Sequence, residues 1–377
     1  MLTAMASPRS EQLAYIQGLR GIAAAAVVLY HARIFIDGAS FLDAGTRLFG
    51  SGAAGVDLFF VISGFIMLHT TADVEGSPRA ALAFVAKRFA RIWPVYAVAF
   101  AAMWLLTRPS DSPAFVTTWS SAAQALAFLP RAPDQAAPCF GYPLLHVGWT
   151  LNYEAFFYLL FAVSLLVPRR WRVVALAAMF AGCLIGLPLL LTGDVHFDAM
   201  VSYGFRGYTC ITTSPIIWDF ALGVAIALVH RARFTLRDRG VLACLVALTT
   251  GAVLWQLLSG YRTGNGPTRW ALPLAAMVLA LTLYNKRFPI AMPRVLVWLG
   301  DISFSLYLFH VMPQMLPRLI KHQPQLMGGG GFFVACLVMG VVLAYLAHRW
   351  LERGLSEWVR RALMRWIAPR RSPVESS

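Results

Sequence analysis

Residues 15–36, YIQGLRGIAAAAVVLYHARIFI, form an apolar run long enough to cross a bilayer, and the run carries Arg20 and His31. Such a run crosses as an α-helix, because only internal hydrogen bonds satisfy its backbone in hydrocarbon. Eleven residues of helix make three turns plus roughly 20° and rise roughly 16 Å. Arg20 and His31 therefore share one stripe of one helix, about half a bilayer apart in depth. An ionisable side chain at that depth costs at least a few kcal/mol, so it points to a substrate, an ion or a proton path. A cation low and an imidazole high on one stripe suit a charged substrate handled across part of a membrane.

The rest of the chain repeats the pattern. Hydrophobic residues make up 59% of it and charged residues 13%, far too apolar a balance for a soluble domain. The spacing of apolar runs predicts an all-α polytopic membrane protein of about ten transmembrane helices, near 14–36, 53–72, 92–107, 149–167, 173–192, 213–230, 240–259, 270–284, 295–315 and 331–349. With the N-terminus inside, and residues at span ends counted with the nearer face, 22 of the 32 Lys and Arg fall on the inner face and 9 on the outer, Arg20 being the remaining one. Acids divide 7 to 6 between the faces, so the basic excess sets an N-in, C-in orientation. The net charge of +15 is that bias rather than a nucleic-acid footprint, and no nucleic-acid partner is expected.

The expected organisation is a short cytoplasmic tail (1–13), a transmembrane domain (14–349) and a cytoplasmic C-terminal segment (350–377). In that last segment, Leu351, Leu355, Val359, Leu363 and Trp366 fall on one helical face. Arg353, Arg360, Arg361 and Arg365 lie largely elsewhere, predicting an amphipathic helix against membrane lipid. The final RRSPVESS reads as disordered. Arg20 interrupts the first apolar run and no small-residue cleavage site follows it, which argues against a cleaved signal peptide. The outer stretch 108–148 leaves no room for a soluble domain but fits a short helix or re-entrant piece around Trp119–Leu129. No cysteine has metal-ligand spacing, and no metal is expected. Cys139 and Cys210, alone in outer loops, could pair in an oxidising compartment.

Several spans send polar groups to one outer level: His31, Asp57, Glu154, Asp219 and His310. Helix–helix hydrogen bonding accounts for some of these, Asp219 and the deeper Asp301 in particular. His31 with Glu154 at matching depth reads instead as a general base with its carboxylate partner. At the inner face, KRFARIWPVY places Arg88 and Arg91 on one helix face just before Trp93. Arginine forks beside an aromatic suit the phosphates and base of a nucleotide-like donor, and they equally suit a positive-inside anchor with an interfacial tryptophan.

In order and spacing, YIQGLRGIAAAAVVLYH, GVDLFFVISGFIM, KRFARIWPVY, VGWTLNYEAFFYLLF, WDFALG and LGDISFSLYLFH resemble the acyltransferase-3 family over residues 12 to 352. That family comprises integral membrane O-acyltransferases of bacterial surface and exported glycans. The wording VGWTLNYE is similar to its exopolysaccharide-associated group. The resemblance puts the family's basic-then-histidine pair on Arg20 and His31 and its RxxR motif on Arg88 and Arg91. Its fourth-span acid falls on Glu154, preceded by Trp149, and its ninth-span motif on Ser303, Ser305, Tyr307 and His310. Many relatives have two adjacent acids in span four, whereas Ala155 stands in the second place here.

What the resemblance implies is an enzyme of the bacterial inner membrane that takes an acyl group from acyl-CoA, most often acetyl-CoA. The acceptor would be a glycan or lipid-linked saccharide, with other polysaccharide-assembly proteins as possible associates. His31 and Glu154 would be catalytic. Arg20, Arg88, Arg91, Trp93, Asp57, Trp149, Ser303, Ser305, Tyr307 and His310 would bind donor or substrate. Some relatives carry a C-terminal SGNH-type domain. None follows here, so transfer is expected to be completed by this chain alone or with a partner protein. The alternative is a transporter or flippase, which should show broken-helix symmetry between its halves; no such repeat is evident.

Overall fold

The computed structural model describes residues 13–36, 43–107, 118–316 and 329–367, and among these there is no strand. Six helices have the length and apolarity to cross a membrane, or seven if one bent pair counts as a single span. The main helices in chain order are α1 (Ala14–Ala32), α2 (Ala54–Thr71), α3 (Pro78–Thr107), α4 (Trp119–Leu126), α5 (Trp149–Ser164) and α6 (Arg169–Thr192). They continue with α7 (Trp218–Arg231), α8 (Arg239–Ser259), α9 (Leu272–Asn285), α10 (Arg294–Asp301), α11 (Ser303–Phe309) and α12 (Gly330–Ile367).

Three predicted spans are too short to pass as membrane helices alone: α5 with 16 residues, and α7 and α9 with 14 each. Each is entered through a tighter or wider turn, at His146–Gly148, Pro215–Ile217 and Pro267–Ala271 respectively. All three contribute to the main buried core, through Phe157, Phe220 and Val278 among others. The predicted loop 73–91 is largely helical. Its Ala-, Arg- and Lys-rich part is good helix-forming sequence and continues unbroken into α3.

The outer segment turns back along α3. Trp119 meets Trp104 edge-on at 5.6 Å, the Trp93 indole donates to the Leu126 carbonyl at 3.1 Å, and Phe128 stacks on Tyr96 at 5.5 Å. Trp119 at the level of Trp104 and Leu126 at the level of Trp93 set α4, 8 residues and roughly 12 Å long, alongside α3. In consequence α5 begins at the level of Tyr96, deep in the bundle, where a Cβ on Gly148 would lie 2.9 Å from the Tyr96 hydroxyl.

Helix α1 packs along α10 and α2. Its approach to α10 needs glycine: a Cβ on Gly300 would lie 2.0 Å from the Gln17 carbonyl oxygen. Helices α10 and α11 form the bent pair, turning by 62° at Ile302. Helix α12 carries the expected amphipathic segment as an unbroken extension of the last span, through a π-helical stretch at His348–Ser356. Leu351, Leu355, Val359 and Leu363 are half-buried there, partly against α3. Trp366, one residue from the end of the described helix, departs from the predicted buried face and is 90% exposed. Residues 370–377 lie outside the described residues. Cys139 and Cys210 are both free, so the possible pairing is not formed. The Cys210 thiol lies 3.1 Å from the Gly207 carbonyl oxygen.

Candidate functional site

Helices α1, α2, α3, α5 and α11 line an open cleft with a cavity volume of about 80 Å³. Arg20, Arg88 and Arg91 line it, with Glu154 as its one carboxylate among the described residues, and Ser63, Thr150, Tyr158, Ser303 and Tyr307 add to the polar wall. Arg20 donates to the Ser303 hydroxyl at 2.9 Å and to Gln17 Oε1 at 3.3 Å. The Tyr158 hydroxyl donates to Glu154, one turn earlier on α5. The Arg88 guanidinium lies over Phe84 at 5.3 Å and Tyr158 at 5.6 Å. A second cleft, with a cavity volume of about 480 Å³, shares Arg88 and Arg91 and runs beside the 71–80 turn. Lys87 and, from α12, Glu352, Glu357 and Arg360 line that part. Three guanidiniums against one carboxylate leave this cleft with capacity for an anion, and arginine forks match phosphate oxygens two at a time.

Further along α1, three imidazoles meet. His310 Nε2 is 3.1 Å from His31 Nδ1, and the His146 ring centroid is 5.0 Å from that of His31. His310 Nδ1 lies 2.9 Å from the Leu306 carbonyl oxygen, and His31 Nδ1 lies 3.0 Å from that of Val27. A carbonyl can only accept, so both Nδ1 atoms carry the proton. His310 Nε2 then accepts from His31 Nδ1–H, and the network leaves His31 Nε2 as an unprotonated nitrogen. Such a nitrogen can take a proton or attack a carbonyl carbon.

Tyr307 joins the two regions. Its ring lines the cleft and lies 6.3 Å from that of His310. Its hydroxyl donates to the Val147 carbonyl at 2.8 Å and contacts the Thr150 hydroxyl at 2.8 Å.

The expected pairing of His31 with Glu154 is not formed. Because α5 starts deep, Glu154 stands with Arg20 and the other arginines, while the neighbours of His31 are His310 and His146. Arg20, Arg88, Arg91, Ser303 and Tyr307 do line one cleft with Glu154. Trp93 turns from it to the Leu126 carbonyl, and Trp149 is buried edge-on against Tyr153 at 6.0 Å. Ser305 faces away from the cleft to Glu352. Asp57 belongs to another place: it accepts from Asn265 Nδ2 at 2.7 Å and the Gly266 N–H at 2.6 Å, beside Asp219. Gly266 makes that bond with φ +97°, a conformation that favours glycine.

His146, Tyr158 and Glu352 were not among the sequence candidates. Tyr158 was findable, being four residues after Glu154 and so on the same helical face. His146 looked like loop and Glu352 like tail. Among the described residues, no three His, Cys, Asp or Glu side chains are disposed to hold a metal ion.

A membrane bundle with a cationic cleft and a free imidazole nitrogen has the parts of an acyl-transfer enzyme. The family model for the acyltransferase-3 acyltransferase domain matches residues 13–349, and the chain belongs to that family of membrane acyltransferases. The exopolysaccharide production protein ExoZ of Rhizobium meliloti (strain 1021) is 32% identical over 317 residues, 81% of this chain and 90% of that protein. The acyltransferase MdmB of Streptomyces mycarofaciens is 26% identical, covering 92% of each chain. Nodulation protein 10 of Rhizobium leguminosarum bv. viciae is 26% identical over 79% of this chain and 76% of its own. No solved structure matches the chain.

Proposed function

We propose that this enzyme moves an acyl group, acetyl in the first instance, from cytoplasmic acyl-CoA to a sugar hydroxyl of an exported or surface glycan. The observation that carries the reading is the alignment along α1 of an arginine-lined cleft with an imidazole whose Nε2 is free. In this scheme the short helices α5, α7 and α9 also cross, giving ten spans with both termini in the cytoplasm of a bacterial inner membrane. The excess of Lys and Arg beside the 71–80 turn and on α12 supports that orientation. The donor then enters by the cleft that α12 borders, with its phosphates on Arg88 and Arg91 and its pantetheine arm directed past Arg20. The similarity to ExoZ supports a polysaccharide acceptor.

In the transfer step, His31 Nε2 takes the proton of the acceptor hydroxyl as its oxygen attacks the thioester carbonyl. The new C–O bond forms and the C–S bond breaks, and the imidazolium returns its proton to the departing thiolate. The Val27 carbonyl holds the tautomer that makes Nε2 the base, and His310, sharing the same Nδ1–H, helps to orient the ring. Glu154 balances Arg20 within the donor cleft. Membranes carrying the protein, given labelled acetyl-CoA with and without a glycan acceptor, test the reading. Acceptor-dependent label in saccharide supports it. Uptake or release of the glycan with no label transferred, when other acyl-CoA donors also fail, would sink it in favour of a transporter.

A further inference from the structure

We infer that Glu352, from the π-helical stretch of α12, is a positioning residue that holds α11 against α1 and so sets the His31–His310 contact. The inference rests on the catalytic reading of His31 given above. The break at Ile302 separates α10 from α11, and α11 starts without a side-chain cap. The Ser305 N–H does not go to the preceding turn. It donates to Glu352 Oε1 at 3.1 Å, and the Ser305 hydroxyl donates to the same oxygen. Ser305 is fully buried, so no water replaces that acceptor. His348 Nδ1 lies 3.4 Å from the same oxygen.

Helix α11 is a rod of 7 residues; besides the Tyr307 bonds to Val147 and Thr150, three attachments tie it to α1 and α12. Arg20 of α1 holds it at Ser303, Glu352 of α12 holds it at Ser305, and His310 at its far end meets His31 of α1. A rod this short transmits a displacement at Ser305 to His310. Losing that contact would leave the Val27 carbonyl as the remaining partner of His31 Nδ1–H, and the ring would lose the second contact that aims Nε2. Glu352 lies beyond the end of the family match at residue 349.

Two readouts test this. The first is transfer kinetics of Glu352→Ala, Glu352→Gln and Ser305→Ala. One amide oxygen accepts both Ser305 bonds as the carboxylate oxygen does, so Gln should restore what Ala loses. The expected result is turnover at saturating donor down about tenfold or more in Glu352→Ala, and Glu352→Gln turnover within about threefold of wild type. Glu352→Ala should add little further loss in a Ser305→Ala background. The second readout needs no activity. A Cβ on Gly340 would lie 3.5 Å from His310 Cβ, within disulfide range, so Gly340→Cys with His310→Cys should cross-link in a chain stripped of its native cysteines. Cross-linking should slow with Glu352→Ala and recover with Glu352→Gln.

Cross-linking at the wild-type rate in Glu352→Ala overturns the inference, whatever the kinetics. So does a Gln variant as impaired as Ala, which would assign the role to charge. If the wild type transfers no acyl group, the catalytic reading falls, and the cross-linking rate alone decides whether Glu352 positions α11.

Discussion

The arginine cleft and the histidine cluster lie along one face of α1 and handle polarity in opposite ways. The cleft holds formal charges. Arg20, Arg88 and Arg91 face Glu154, and aromatic rings cover the Arg88 guanidinium. The cluster holds rings bonded to main-chain carbonyls and to each other, an arrangement consistent with neutral imidazoles. Charge is stationed where a cleft admits a counter-charge, and the proposed function puts proton transfer where the rings can stay neutral. The two regions should therefore fail separately.

The sharpest break is His31→Ala. Turnover should fall about 10²–10⁴-fold, the usual contribution of a positioned base. Binding of acyl-CoA, measured directly on purified protein, should stay within about threefold of wild type. Near wild-type glycan acylation would remove His31 from the chemistry.

On the other side, Arg88→Ala and Arg91→Ala should each raise the apparent KM for acyl-CoA about tenfold or more, as loss of a charge-assisted contact does. The acceptor KM should not move. Saturation curves in membranes decide this, and an unchanged donor KM in both variants returns these arginines to topology anchors.

Glu154→Gln separates the regions most directly. Gln keeps an oxygen for Tyr158 while deleting the one negative charge opposite three guanidiniums. The donor KM should fall a few-fold and turnover should change by less than about tenfold. A loss of turnover by orders of magnitude, with donor KM unchanged, would tie Glu154 to His31 after all.

The smallest effect is expected at Asp73, which lies in neither region. Exposed Asp73 joins Arg231 at 2.8 Å and Arg169 at 2.7 Å, and the Arg231 hydrogen bond, with the nearby guanidiniums, holds its carboxyl below the ordinary value. A depressed carboxyl stabilises above its unfolded value and loses that contribution as pH falls through the folded one. Asp73→Asn should leave transfer rates unchanged and slightly lower the midpoint of thermal inactivation at neutral pH. The gap to wild type should close in strong acid. A gap that persists there would assign the effect to something other than charge.

What was legible in the sequence was what one helix determines alone. Arg20 and His31 share a face because helical periodicity is local, and Tyr158 follows Glu154 by the same rule. Depth between helices was not legible. Glu154 looked level with His31 only if span four starts at the membrane surface. The turned-back outer segment lowers that start, and nothing in WTLNYE announces it. Ser305 resembled a substrate-binding residue, yet its partner Glu352 is 47 positions away on a segment that reads as tail. The π turn that directs it there has no signature in composition.

The separation of Arg20 from His31 has an electrical consequence. A membrane potential does work on any charge that crosses it, about 2.3 kcal/mol per elementary charge per 100 mV. If the arginines keep the donor's phosphates at the inner end of the cleft, only the uncharged acyl group travels outward along α1. The return of the thiol is likewise neutral. On that arrangement the catalytic cycle moves no net charge through the field, and its rate should be the same in energised and de-energised vesicles.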